Sequence, residues 1–195
     1  MGERPGPLPH DHPPVGEGGA QGARENEIFF DQEPGVIALR PVENPTRFPP
    51  NFGPEEEVKL DPRIFALACK WLEVRPQVDL FASDVHHQLD EYYSVDQSDP
   101  NAKGIDAFNF VWESPPVLYI NPPWTLIGKV LAKIIHDQAY ALLVTPEYRR
   151  APWQPMLDQV IIKSFLWTKP LYLDDQGKLR PQPRWNTRFS VVLGR

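Results

Sequence analysis

The run from Val117 to Pro146 constrains the fold of this 195-residue chain more than any other stretch. Val117-Leu118-Tyr119-Ile120 are four strand formers, and they enter a rigid Asn121-Pro122-Pro123-Trp124 corner. Leu126, Ile127, Val130, Leu131, Ile134 and Ile135 then recur at spacings of three and four, the period of a helix with one buried face. Thr125 stands where an N-cap is expected. Ala141-Leu142-Leu143-Val144-Thr145-Pro146 follows as a continuous apolar run, which fits a strand covered on both faces. Strand, helix, strand in this order predicts a parallel βαβ unit.

The flanking segments extend that pattern. Leu60-Asp61-Pro62 reads as a helix start, with Asp61 as N-cap and Pro62 in the first turn. Ile64, Phe65, Ala68, Trp71 and Leu72 share one helical face beyond it. Val78-Asp79-Leu80-Phe81-Ala82-Ser83 is a short strand with a small, polar ending, and a further strand is expected in residues 90–95. Gly104-Ile105-Asp106-Ala107-Phe108 makes another apolar-acidic step. Downstream, a short helix is expected around residues 152–157 and a strand over 160–165. Residues 171–173 and 188–193 are expected to close the domain as an antiparallel pair. The whole predicts an α/β fold with a Rossmann-like, mostly parallel sheet. Ligands of such sheets bind beyond the carboxyl ends of the strands, where VDLFAS, IDAF, YINPPW and LVTP would all end.

Composition bounds the rest. Residues 1–54 hold 11 of the 24 prolines and 8 of the 12 glycines. Residues 1–25 therefore read as a disordered tail, 26–58 as a proline-rich linker with a few apolar pieces, and 59–195 as the folded domain. No long apolar run or signal-like start occurs, so a soluble, intracellular protein (nuclear or cytoplasmic) with no membrane partner is expected. Residues 1–120 carry 9 Lys+Arg against 21 Asp+Glu, whereas residues 121–195 carry 11 against 5. The acidic total of −6 argues against a strong stand-alone nucleic-acid binder, and the basic C-terminal third leaves room for phosphate contacts. The one cysteine, Cys69, lies on the apolar helical face and reads as core. His86-His87 lacks helical ligand spacing, and no metal site is expected.

The Asn121–Trp124 corner carries a chemistry as well as a turn. The lone pair of a nucleobase amine is delocalised into its ring, so the amine is a poor nucleophile. The Asn121 side-chain oxygen and the Pro122 carbonyl could each accept one amine hydrogen, draw the nitrogen towards tetrahedral geometry and free its lone pair. Pro122 and Pro123 stiffen the loop, and Trp124 would stack on an extruded or single-stranded base.

These pieces resemble a known family. From about Leu60 to Leu193 the chain is similar to the phage-type DNA adenine methyltransferase (Dam-like) domain, and more closely to the version carried by DIRS-like, tyrosine-recombinase retrotransposons. The matching pieces are LDPRIF, VDLFAS, IDAF, NPPW with TLIGKVLAKI, LLVTP and APWQP. The resemblance implies S-adenosyl-L-methionine as cofactor and methylation of the adenine N6, or secondarily the cytosine N4. It implies Asn121, Pro122, Pro123 and Trp124 as the catalytic motif. Asp79, Phe81, Ala82, Ser83, Asp106 and Ala107 are implied on the cofactor side. DNA is the implied partner, whether duplex, single-stranded or in an RNA–DNA hybrid, with reverse transcriptase and RNase H domains as neighbours. Two departures stand out: the glycine-rich FxGxG loop is replaced by VDLFAS, and no insertion serves as a target-recognition domain. Two other readings follow from the same residues, a catalytically silent module of a retroelement polyprotein and a protein glutamine methyltransferase.

Overall fold

The structure is a computed structural model and describes residues 59–174, 176–181 and 185–194. The expected tail over 1–25 and linker over 26–58 lie outside the described residues. Lys59–Leu60 form strand β1, and Asp61 then caps helix α1 (Pro62–Trp71). The Asp61 carboxylate accepts from the Arg63 N–H at 2.9 Å and from the Arg63 guanidinium at 2.7 Å. Ile64, Phe65, Ala68 and Leu72 are buried, as their spacing predicted.

Seven strands form the main sheet: β2 (Val78–Ala82), β3 (Glu91–Ser94), β4 (Gly104–Ile105), β5 (Leu118–Ile120), β6 (Tyr140–Pro146), β7 (Ile161–Trp167) and β9 (Thr187–Leu193). Their order across the sheet is β4-β3-β2-β5-β6-β9-β7. Neighbours from β4 to β6 pair in parallel. β9 is antiparallel to both β6 and β7, so β7 runs with the parallel strands. Counting β2 as first, the parallel strands follow the doubly wound order 3-2-1-4-5-6, with β9 slotted in before the last.

Helix α1 covers one face, where Ile64, Phe65 and Ala68 pack with Tyr119, Leu142, Val144 and Phe189. Helices α2 (Ile127–Asp137) and α3 (Gln154–Val160) cover the other, packing on Val78, Leu80, Leu118, Ile120, Ala141 and Leu143. β6 is buried on both faces, which accounts for its unbroken apolar sequence. Near the C-terminal end of β9, the Gly194 N–H donates to Ala139 O at 2.9 Å, and a Cβ there would lie 1.9 Å from Ile134 O.

Two expectations are corrected. The antiparallel partner of residues 188–193 is not the 171–173 segment: β8 (Tyr172–Leu173) pairs with β1 in a separate two-stranded sheet, and β9 fills the gap between β6 and β7. Thr125 does not cap α2; residues Trp124–Leu126 form a 3-10 turn that leads into it without a side-chain cap. The connections from β2 to β3 and from β3 to β4 contain no helix, and α2 and α3, which follow β5 and β6, both lie on the face opposite α1. Among the described residues, no helix is long and apolar enough to cross a membrane, and no group of three metal-ligating side chains occurs.

Candidate active site

Chain direction fixes where the candidate residues meet. From β2 the chain moves outward through β3 and β4, then returns to β5 on the other side of β2. The strand order therefore reverses between β2 and β5, and such a reversal opens a crevice at the carboxyl ends of the two strands. Ala82 and Ser83 end β2 on that edge, and Asn121 follows the last residue of β5. Asp106 follows β4, and Pro146 ends β6, on the same edge. The four loops expected to share a rim do share one.

Asn121 is half-buried, Pro122 buried and Pro123 exposed. The Pro123 carbonyl accepts from the Leu126 N–H at 2.8 Å, closing the turn, while no backbone donor among the described residues reaches the Pro122 carbonyl. Asn121 and Pro122, whose oxygens are the candidate acceptors, thus both follow the carboxyl end of β5 beside the reversal in strand order. Trp124 is half-buried and meets the Trp185 ring edge-on, with centroids 5.6 Å apart.

The residues on the β2 and β4 side divide into two groups. Asp79 is 2% exposed, and its oxygens accept from the Phe81 N–H at 3.2 Å and the Gln88 N–H at 3.0 Å. It ties the loop over residues 83–90 to the strand from beneath. Burial pushes its carboxyl up to about 6, against the pull of those two N–H groups and of His87. Ser83 closes a tight turn, its N–H and carbonyl both bonded to the His86 backbone. Ala82 is half-buried, and Phe81 stands edge-on to Phe108 at 5.6 Å.

Asp106 is held at a φ of 56°, with Oδ1 accepting from the Phe108 N–H at 3.0 Å; Oδ2 has no hydrogen-bond partner among the described residues. Ala107 is buried, and its carbonyl accepts from Trp112 Nε1 at 2.9 Å. The segment after it is anchored to α2 by Asp137, which accepts from the Trp112 N–H at 2.8 Å and pairs with Lys133 at 2.7 Å. Burial alone would raise the Asp137 carboxyl, but hydrogen bonds from Lys133, His136 and Trp112 outweigh it and bring it down to about 2.

Two side chains of the site had no sequence signal that singled them out. Tyr119 precedes Asn121 by two residues and shares its face of the sheet, a relation that strand alternation could have exposed. Trp185 reaches Trp124 only through the fold. Cys69 is half-buried, and burial pushes its thiol up to about 11, which makes it inert as a nucleophile at neutral pH. No protein-family model and no curated protein sequence matches this chain.

Proposed function

We propose that this protein is an S-adenosyl-L-methionine-dependent DNA amino-methyltransferase, acting on the adenine N6, of the Dam-like type that its sequence resembles. The observation that carries the reading is the position of Asn121-Pro122-Pro123-Trp124. The motif sits at the carboxyl end of β5, beside the carboxyl end of β2, at the reversal in strand order. The seven-stranded order with one inserted antiparallel strand supports the same reading.

The rim fits the cofactor through some residues and not through others. Asp106 offers a carboxylate oxygen without a partner among the described residues, suited to an amino group, and Phe81 with Phe108 offers an aromatic wall. Asp79 does not fit, because both its oxygens serve the 83–90 loop. When bound, the cofactor supplies an electrophilic methyl group. The chain's own part is to hold the amine: Asn121 Oδ1 and Pro122 O accept its two hydrogens, leaving the lone pair directed outwards. Trp124 presents a face for the base, and its contact with Trp185 restricts that ring.

The silent-module reading is favoured by one observation. The Asp79 carboxylate and the Ser83 backbone, which the resemblance assigns to the cofactor, are consumed by loop closure. Calorimetric titration with S-adenosylmethionine and its demethylated product, followed by radiolabelled methyl transfer to adenine-containing DNA, separates the two. Binding and transfer are expected. No heat at millimolar ligand and no label in DNA would replace the enzyme reading with the silent module.

A further inference from the structure

A second polar group lies beneath Asn121. Tyr119 lies on the face of β5 covered by α1, and Asn121, one residue beyond the strand, continues its alternation on that side. Tyr119 is 1% exposed, and its ring meets that of Phe65 edge-on at 4.8 Å. It stands in register with Asp79 of β2, so the neighbour on that side is a buried carboxylate. Asp79 has given its oxygens to the Phe81 and Gln88 N–H groups, and the Tyr119 hydroxyl forms no hydrogen bond of full geometry among the described residues. Asn121 faces that hydroxyl and favours its ionised form, but the pair stops short of hydrogen-bond geometry.

A buried hydroxyl without a partner costs about 1–3 kcal/mol, and phenylalanine would fill the same volume without that cost. The hydroxyl therefore calls for a partner that it engages when the site is in use. The Asp79 charge supplies a direction. Standing in register beside Tyr119, it would draw the hydroxyl proton towards β2 and leave the oxygen lone pairs towards Asn121. A lone pair can accept only from the Nδ2 end of the Asn121 amide.

We propose that Tyr119 is a positioning residue for Asn121: its hydroxyl oxygen accepts a hydrogen bond from Asn121 Nδ2 and so turns Oδ1 towards the amine of the bound base. The inference rests on the methyl-transfer reading of the motif. An asparagine amide has nearly the same shape when flipped, and the wrong orientation would set donor against donor at the amine. The Pro122-Pro123 corner fixes the backbone of the loop but not the Asn121 side-chain torsion, and the hydroxyl supplies that missing constraint. The bond closes when the base engages, as catalytic hydrogen bonds commonly tighten in the substrate complex.

The test is Tyr119→Phe in the full chain, which keeps the ring against Phe65. Methyl transfer to an adenine-containing single-stranded oligonucleotide should lose about tenfold in kcat, with KM and the affinity for S-adenosylhomocysteine unchanged. The melting temperature should stay level or rise, whereas a purely structural tyrosine would lower it. A second readout needs neither turnover nor the variant's stability. In 15N-labelled wild-type protein with S-adenosylhomocysteine, adding the oligonucleotide should shift the Asn121 side-chain NH2 signals and slow their exchange. Wild-type kcat in Tyr119→Phe, or Asn121 NH2 signals that the oligonucleotide leaves unmoved, would overturn the positioning role. Wild-type protein that binds cofactor and oligonucleotide but transfers no methyl group would overturn the methyl-transfer reading instead, and the inference resting on it.

Discussion

Asp79 makes a sharp prediction about pH. Its carboxyl lies at about 6 in the folded protein, against an ordinary 3.8, because burial disfavours the charge. A raised folded-state pKa adds stability that is fully present below the unfolded value and is lost as pH rises through the folded value. One pKa unit corresponds to 1.36 kcal/mol, so the shift amounts to about 3 kcal/mol, of which about 2 kcal/mol falls between pH 4 and 7. Asp79→Asn removes the titration. The amide oxygen can still accept one of the two backbone N–H groups, but the amide nitrogen faces the other. That mismatch is a loss of about 1–3 kcal/mol that does not change with pH. Urea unfolding of wild type and Asp79→Asn at half-unit steps from pH 4 to 7.5 isolates the term, since other groups cancel in the difference. The stability of wild type relative to the variant should fall by about 2 kcal/mol across the range, mostly between pH 4 and 6. A flat difference would show that the buried carboxylate does not carry the charge cost assigned to it.

Four further outcomes are expected. Asn121→Ala should lower kcat for methyl transfer by about 10²–10³ while leaving cofactor affinity nearly intact, measured by radiolabel and calorimetry, because in the proposed reaction the amide addresses the amine. Trp124→Ala should weaken oligonucleotide binding by about 1–3 kcal/mol and Trp124→Phe much less, as fluorescence anisotropy would report. Asp137→Asn should cost about 2 kcal/mol at pH 7, a loss that shrinks as pH falls from 3.8 through about 2, because the folded carboxyl lies below its ordinary value; denaturant midpoints at pH 7 and pH 2 check this. Gly194→Ala should lower the melting temperature by several degrees, since the new Cβ meets the α2 backbone at Ile134 O, 1.9 Å away.

The elements legible in the sequence were those with a strong period or a cap. Helix α1 announced itself through Asp61-Pro62 and its apolar face, and β6 through an unbroken apolar run. The shared rim followed from parallel pairing, because strand direction alone decides which loops meet. Pairing partners were not legible. Tyr172 and Leu173 look like a mate for a nearby strand, yet they pair with Leu60 and Lys59 across more than a hundred residues of chain. A two-residue strand such as β1 has no period to detect. The motif Asn121–Trp124 was visible as residues, but its setting was not. The hydroxyl beneath it and the indole beside it arrive from β5 packing on α1 and from a segment preceding β9.

The place of β9 bears on how such a chain comes off the ribosome. Residues 187–193 fill the slot between β6 and β7, and both neighbours are made earlier. Until β9 has emerged, β6 presents a long apolar edge, and β7 has no partner in the main sheet. The nascent domain is thus at its most adhesive just before it is complete, with unpaired strand edges of the kind that seed aggregation. Translation pauses that hold the chain with β6 outside the ribosome and β9 still inside it should therefore lower soluble yield more than pauses elsewhere in the domain. Chaperones that shield strand edges should rescue that yield.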